Sequence, residues 1–82
     1  MSKNSLKDSL KSFFKKELKV KKSFNEKSKI YYYKNWDSLA NFNLLLNIEK
    51  KYNIKFTSKE FTYLNSFTDI YTNVKKKIRK TL

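Results

Sequence analysis

The stretch Asn35-Trp36-Asp37-Ser38-Leu39-Ala40-Asn41-Phe42-Asn43-Leu44-Leu45-Leu46-Asn47-Ile48-Glu49-Lys50-Lys51-Tyr52-Asn53-Ile54-Lys55-Phe56 decides how this chain is read. Asp37 or Ser38 can cap a helix, because either side-chain oxygen can accept a free backbone N–H of the first turn. Apolar residues then recur at helical spacing: Phe42 with Leu45, and Leu44, Ile48 and Tyr52 four apart. A helix is therefore expected over 38–52, with Leu44, Ile48 and Tyr52 toward a core and Phe42 and Leu45 supporting them. Ser38 stands at its mouth with an exposed hydroxyl. A helix N-terminus suits a phosphate, since unpaired N–H groups and the dipole both point at it. Asn53-Ile54-Lys55-Phe56 alternates polar and apolar, which predicts an extended exit that tucks Ile54 and Phe56 inward.

Working outward toward the C-terminus, Ser58 to Leu64 suits a short helix. Ser66 with Asp69 has the form of a capping box. Phe67, Ile70, Tyr71, Val74 and Ile78 follow at helical spacing and predict a last helix over 67–79. Lys75, Lys76, Lys77, Arg79 and Lys80 gather at its end, where positive charge suits the dipole. Toward the N-terminus, Ser5 and Asp8 form another capping-box pattern. Leu6, Leu10, Phe13, Phe14 and Leu18 share one face of a first helix over 6–20. The lysines of that helix are read as a solvated face rather than a membrane-binding one.

Residues 21–37 are a long connection. Ile30-Tyr31-Tyr32-Tyr33 is β-prone, yet a lone strand has no partner, so a loop is expected whose rings cover the end of the bundle. The three tyrosines beside lysines could instead stack bases. Trp36 could anchor the loop on the core or meet a partner. Leu39 and Leu46 are either core or an exposed apolar docking pair beside Ser38.

The 82 residues fit one domain, 1–82, near the lower limit for a self-sufficient core. Hydrophobic residues make up 39% and aromatics 17%, enough for bulky core pieces. The chain has no Cys and no His, which removes disulfides, thiolate metal sites and the commonest general base. No run approaches the roughly 20 apolar residues needed to cross a bilayer, and Met1-Ser2-Lys3-Asn4 is not followed by a signal-peptide apolar region. A cytoplasmic monomer that is not an enzyme, with no metal site, is expected.

The net charge of +13 points toward nucleic acid or an anionic membrane. Only Arg79 among the 20 basic residues offers a bidentate fork. Gly and Pro are absent while Lys, Asn, Ile, Tyr and Phe abound, a bias that an AT-rich coding sequence produces unaided. Residues 1–34 carry a net +8 and residues 67–82 a net +4, but residues 35–66 only +1. The excess flanks the central stretch rather than lying on it.

Asp37-Ser38-Leu39, the helix ending Ile48-Glu49-Lys50-Lys51-Tyr52, the Ile54-x-Phe56 exit and the Ser66-Phe67-x-Asp69-Ile70 block resemble the acyl carrier proteins. The likeness covers roughly Trp36 to Ile78. It implies an all-α bundle of three main helices and one short third helix, with a long loop between the first two. It implies a 4'-phosphopantetheine arm attached covalently to Ser38, with acyl groups carried on it as thioesters. Asp37, Leu39, Leu46 and Trp36 become candidates for partner recognition. The implied partners are a phosphopantetheinyl transferase, an acyl-loading ligase and an acyl-accepting transferase or synthase.

The chain departs from that family in charge. Acidic residues common along the family's second helix are replaced here by Asn41, Asn43 and Asn47, and Asn35-Trp36 stands where a Gly is frequent. A specialised carrier with dedicated enzymes is expected rather than a housekeeping one. Phe42, Phe61, Tyr63 and Phe67 are expected to fill the space between helices, which favours short, polar or aminoacyl cargo. The alternative is a lysine-rich, nucleic-acid-binding helical protein.

Overall fold

The computed structural model describes residues 5–20, 24 and 26–81. Four helices follow one another: α1 Ser5–Leu18, α2 Ser38–Tyr52, α3 Ser58–Tyr63 and α4 Phe67–Thr81. No strand is present among the described residues, and the chain is the small all-α bundle that the periodicities predict. Residues 1–4, 21–23, 25 and 82, and the side chains of Ser5, Arg79, Lys80 and Thr81, lie outside the described residues, and with them the Ser5–Asp8 capping box and the Arg79 fork.

The helices end where local chemistry stops them. α1 was expected to run to Val20 and stops at Leu18, because Lys19 turns left-handed at φ 57° and the Val20 N–H reaches back to the Lys15 carbonyl at 3.0 Å. That 6→1 bond closes a Schellman-type end. Asn53 does the same for α2, at φ 56° and ψ 51°. The chain holds no glycine to take these positions. Asn is well suited to a left-handed site, whereas Lys19 and Tyr31 (φ 71°) each carry a cost of about 1–2 kcal/mol there.

α3 begins with a complete capping box that the Ser58 reading overlooked. Thr57 Oγ1 accepts the Glu60 N–H at 3.1 Å, and Glu60 Oε1 accepts the Thr57 N–H at 2.8 Å. Ser66 accepts the Asp69 N–H at 3.2 Å and starts α4. Glu49 of α2 fixes the extended exit: its carboxylate accepts the Phe56 N–H at 2.7 Å. Ile54 and Phe56 are both buried, as their alternation predicts.

α1 packs against α2 and α4. Leu10, Phe14 and Leu18 of α1 meet Leu44, Leu45 and Ile48 of α2 and Phe67, Ile70 and Val74 of α4 in one core. Its centre is aromatic. Phe14 lies 5.0 Å from Phe67 and 5.6 Å from both Phe24 and Trp36, edge-on to Phe67 and Trp36. Phe42 and Tyr63 correct the expectation of rings between helices. Phe42 is 46% exposed and Tyr63 48%, while Phe61 is half-buried. Only Phe67 of that set fills the interior, and Phe14, Phe24 and Trp36 supply the other rings. Tyr52 is half-buried, with its hydroxyl 2.9 Å from Ser9 Oγ on α1.

The long connection is pinned to α4. Lys29 and Ser66 form an isolated antiparallel bridge. Ile30 N–H donates to the Asn65 carbonyl at 2.8 Å, and Phe67 N–H to the Ser28 carbonyl at 3.0 Å. Lys7 on α1 pairs with Glu26 at 3.0 Å, and its ammonium holds that carboxyl below the ordinary range. The rings of the connection divide: Tyr33 is half-buried and shares a 2.6 Å hydrogen bond with buried Ser28, whereas Tyr31 and Tyr32 are 68% and 58% exposed. The expected aromatic cover over the end of the bundle is therefore Tyr33 alone.

Candidate functional site

The mouth of α2 is built by Asp37. Its backbone is extended (φ −104°, ψ −171°), and Oδ1 accepts the Ala40 N–H at 2.9 Å. Asp37, rather than Ser38, is therefore the cap. Ser38 becomes the first helical residue, and its hydroxyl, free of capping duty, faces outward on an exposed side chain. The Ser38 hydroxyl lies 2.6 Å from Tyr31 Oη, within hydrogen-bond distance. No sequence signal pointed to Tyr31. Its approach depends on a left-handed backbone, which a tyrosine does not advertise.

Of the two readings of Trp36, the structure gives the core anchor and not the partner contact. It is fully buried, and its indole Nε1–H donates to Asn41 Oδ1 at 2.9 Å. Asn41 Nδ2–H donates in turn to the Leu64 carbonyl at 2.9 Å. Asn41, one of the three asparagines that stand where the resembled family carries acids, is not on the surface; at 5% exposure it is part of the interior. A polar side chain sits there because both its donor and acceptor sides are satisfied. The three-part link ties the residue before the Asp37 cap to the residue after α3.

The outward side of α2 carries apolar side chains among exposed Asn43, Lys50 and Lys51. Leu39 is 69% exposed, and Phe42, three residues on, rests its ring 5.1 Å from Phe61 on α3. Leu46, a turn further, is half-buried and shares a groove of about 480 Å³ with Glu17, Ala40 and Lys50. Asn43 is exposed on the same side, and Asn47 donates to Glu17 Oε1 at 2.8 Å. Glu49 is the single acid within α2, and it is spent on the Phe56 amide. Leu39, Phe42 and Leu46 thus make a surface stripe beside Ser38 with no exposed carboxylate in the helix.

No family model, curated protein or solved structure matches this chain. Among the described residues, no three His, Cys, Asp or Glu side chains gather to hold a metal ion. No helix there is long and apolar enough to cross a membrane. What the site offers chemically is an accessible primary hydroxyl at a positive helix end, flanked by a phenol and an apolar stripe. The chain contains no histidine or cysteine, and the hydrogen bond that the structure gives the Ser38 hydroxyl is to a phenol.

Proposed function

We propose that this chain is an acyl carrier whose Ser38 hydroxyl receives a 4'-phosphopantetheine arm. The observation that carries the reading is that Asp37 caps α2 and leaves the Ser38 hydroxyl exposed as the first helical residue. The order of a long connection, a full helix, a short helix and a last helix supports it, as does the apolar stripe running from Leu39. An arm bonded to Ser38 Oγ would have its phosphate near the unpaired amides of the first turn of α2, so the residues present fit the group.

Ser38 supplies only an oxygen for the phosphodiester, and the base that takes its proton belongs to the transferase. Asp37 sets the helix start and so fixes where that oxygen sits. When bound, the arm would supply a terminal thiol that holds acyl cargo as a thioester; this chain would position it and perform no reaction itself. The Leu39–Phe42–Leu46 stripe is the surface for the transferase, the loading ligase and the accepting synthase. The packed rings at the centre of the bundle favour short, polar or aminoacyl cargo. Attached short and long chains that stabilise the fold equally would count against that cargo class.

The test is intact mass after incubation with coenzyme A, magnesium and a broad-specificity phosphopantetheinyl transferase. One phosphopantetheine is expected on the wild type and none on Ser38→Ala. No gain with several transferases would overturn the reading.

Exposed Tyr31 and Tyr32 within a chain of charge +13 favour a second reading, a nucleic-acid-binding protein that stacks bases on those rings. It predicts binding of single-stranded DNA that weakens steeply with salt and falls when Tyr32 becomes Ala. Absence of binding at low salt would remove it.

A further inference from the structure

Tyr31 is held beside Ser38 in a way that the core does not explain. Its ring is 68% exposed, so burial does not place it. Its backbone sits in the left-handed region at φ 71°, which disfavours an aromatic residue. The turn that imposes this conformation is tightly closed. Tyr31 N–H donates to the Trp36 carbonyl at 2.6 Å, Tyr32 N–H to Lys29 at 3.0 Å, and Trp36 N–H to Tyr33 at 3.0 Å. Trp36 is fully buried and Lys29 is bridged to Ser66, so both ends of the turn are anchored. The product of this arrangement is one contact, Tyr31 Oη to Ser38 Oγ at 2.6 Å.

The geometry points to Tyr31 as the residue that positions the root of the arm, by donating its phenolic hydrogen to the phosphate carried on Ser38. This inference rests on the Ser38 reading above. A phenol can donate or accept. As a free hydroxyl, Ser38 can play either role toward it. Once Ser38 Oγ is esterified it has no hydrogen to give, so the contact survives only with Tyr31 as donor. The phosphate then places anionic oxygens two bonds from Ser38 Oγ, and a hydrogen bond to an anion is stronger than one between neutral hydroxyls. Attachment would therefore strengthen an existing contact rather than break it. Tyr31 acts through orientation of the phosphodiester and is a positioning residue, not a catalytic one.

The experiment uses the full chain labelled with 13C at the tyrosine Cζ positions, before and after arm attachment, with Tyr31→Phe and Tyr32→Phe beside the wild type. Phe keeps the ring and removes only the hydroxyl. Intact mass first establishes whether each protein carries the arm. The Cζ resonance lost in Tyr31→Phe is expected to shift on attachment in the wild type, and the 31P resonance of the arm is expected to differ between wild type and Tyr31→Phe. Tyr32→Phe is expected to leave the 31P resonance unchanged. An arm that attaches while the Tyr31 Cζ and the 31P resonances stay the same would overturn the inference and leave the Ser38 reading standing. Failure of mass gain on the wild type would overturn both.

Discussion

Trp36 is the residue on which the site hangs. Its indole packs against Phe14 of α1 and Phe24 of the connection, and its one polar atom is met by Asn41 of α2. Trp36→Phe would leave a small void and strand the Asn41 amide oxygen, and a buried unpaired polar group costs about 1–3 kcal/mol. We expect Trp36→Phe to lower stability by about 2–4 kcal/mol once the cavity is added, read by urea unfolding followed by circular dichroism. A loss below about 1 kcal/mol would show that the Trp36–Asn41 link contributes little. This residue also marks the limit of what the sequence discloses. A tryptophan beside a loop reads as anchor or as contact, and what fixes it here is Asn41, whose partners lie five residues before it and 23 after it. No periodicity carries such information. Phe42 fails in the opposite way: apolarity suggested core, but its position on α2 turns it toward α3 and solvent.

Elements were legible where one face is uniformly apolar. α4 is the clearest case, with Phe67, Ile70 and Val74 fully buried in the register that their spacing predicts. Ends were less legible, because the chain places Lys19 where a glycine would announce a stop. α3 is too short to show periodicity, and it depends on contacts made by Glu60. That carboxylate takes the Thr57 amide, Lys77 at 2.9 Å and Asn73 at 3.2 Å. Burial pushes the Glu60 carboxyl up, but the Thr57 amide, Lys77 and Asn73 outweigh it and hold it below the ordinary value of 4.5. A carboxyl with a lowered folded value contributes stability above that ordinary value and loses it as pH falls through the folded one. Melting temperature should therefore drop on acidification below about pH 4.5, and Glu60→Gln should be less stable at neutral pH with a shallower acid slope. Glu26 titrates in the same sense through Lys7, so a residual slope in Glu60→Gln is expected. An unchanged slope would mean that Glu60 is not held as described.

At the scale of the molecule, charge is the dominant fact. A net +13 on 82 residues opposes compaction through self-repulsion. Salt screens that repulsion, with a Debye length of about 30 Å at 0.01 M and 8 Å at 0.15 M. The melting temperature should rise with sodium chloride over this range, and a flat or falling response would show that local ion pairs such as Lys77–Glu60 outweigh the repulsion. The same sign governs partners. α2 itself carries no exposed carboxylate beside the stripe to steer it to a basic enzyme face, and the exposed acids next to it are Asp37 and Glu17. We expect poor turnover with a fatty-acid-synthesis ketosynthase even when the arm attaches well; full turnover would refute the expectation of dedicated enzymes. Composition disclosed this charge at once, and the asparagines of α2 disclosed its scarcity of acids; that its single acid, Glu49, is turned to the Phe56 amide emerged only from the structure.

The bridge between Lys29 and Ser66 sets an order of assembly. Everything chemical about the site, from Tyr31 to Leu46, has left the ribosome well before Ser66 does. Yet the turn that brings Tyr31 to Ser38 is moored to Asn65 and Ser66, and Phe67 closes the core beneath it. A growing chain would thus display the serine early on an unfinished scaffold, and would gain its tyrosine neighbour only as the last helix docks.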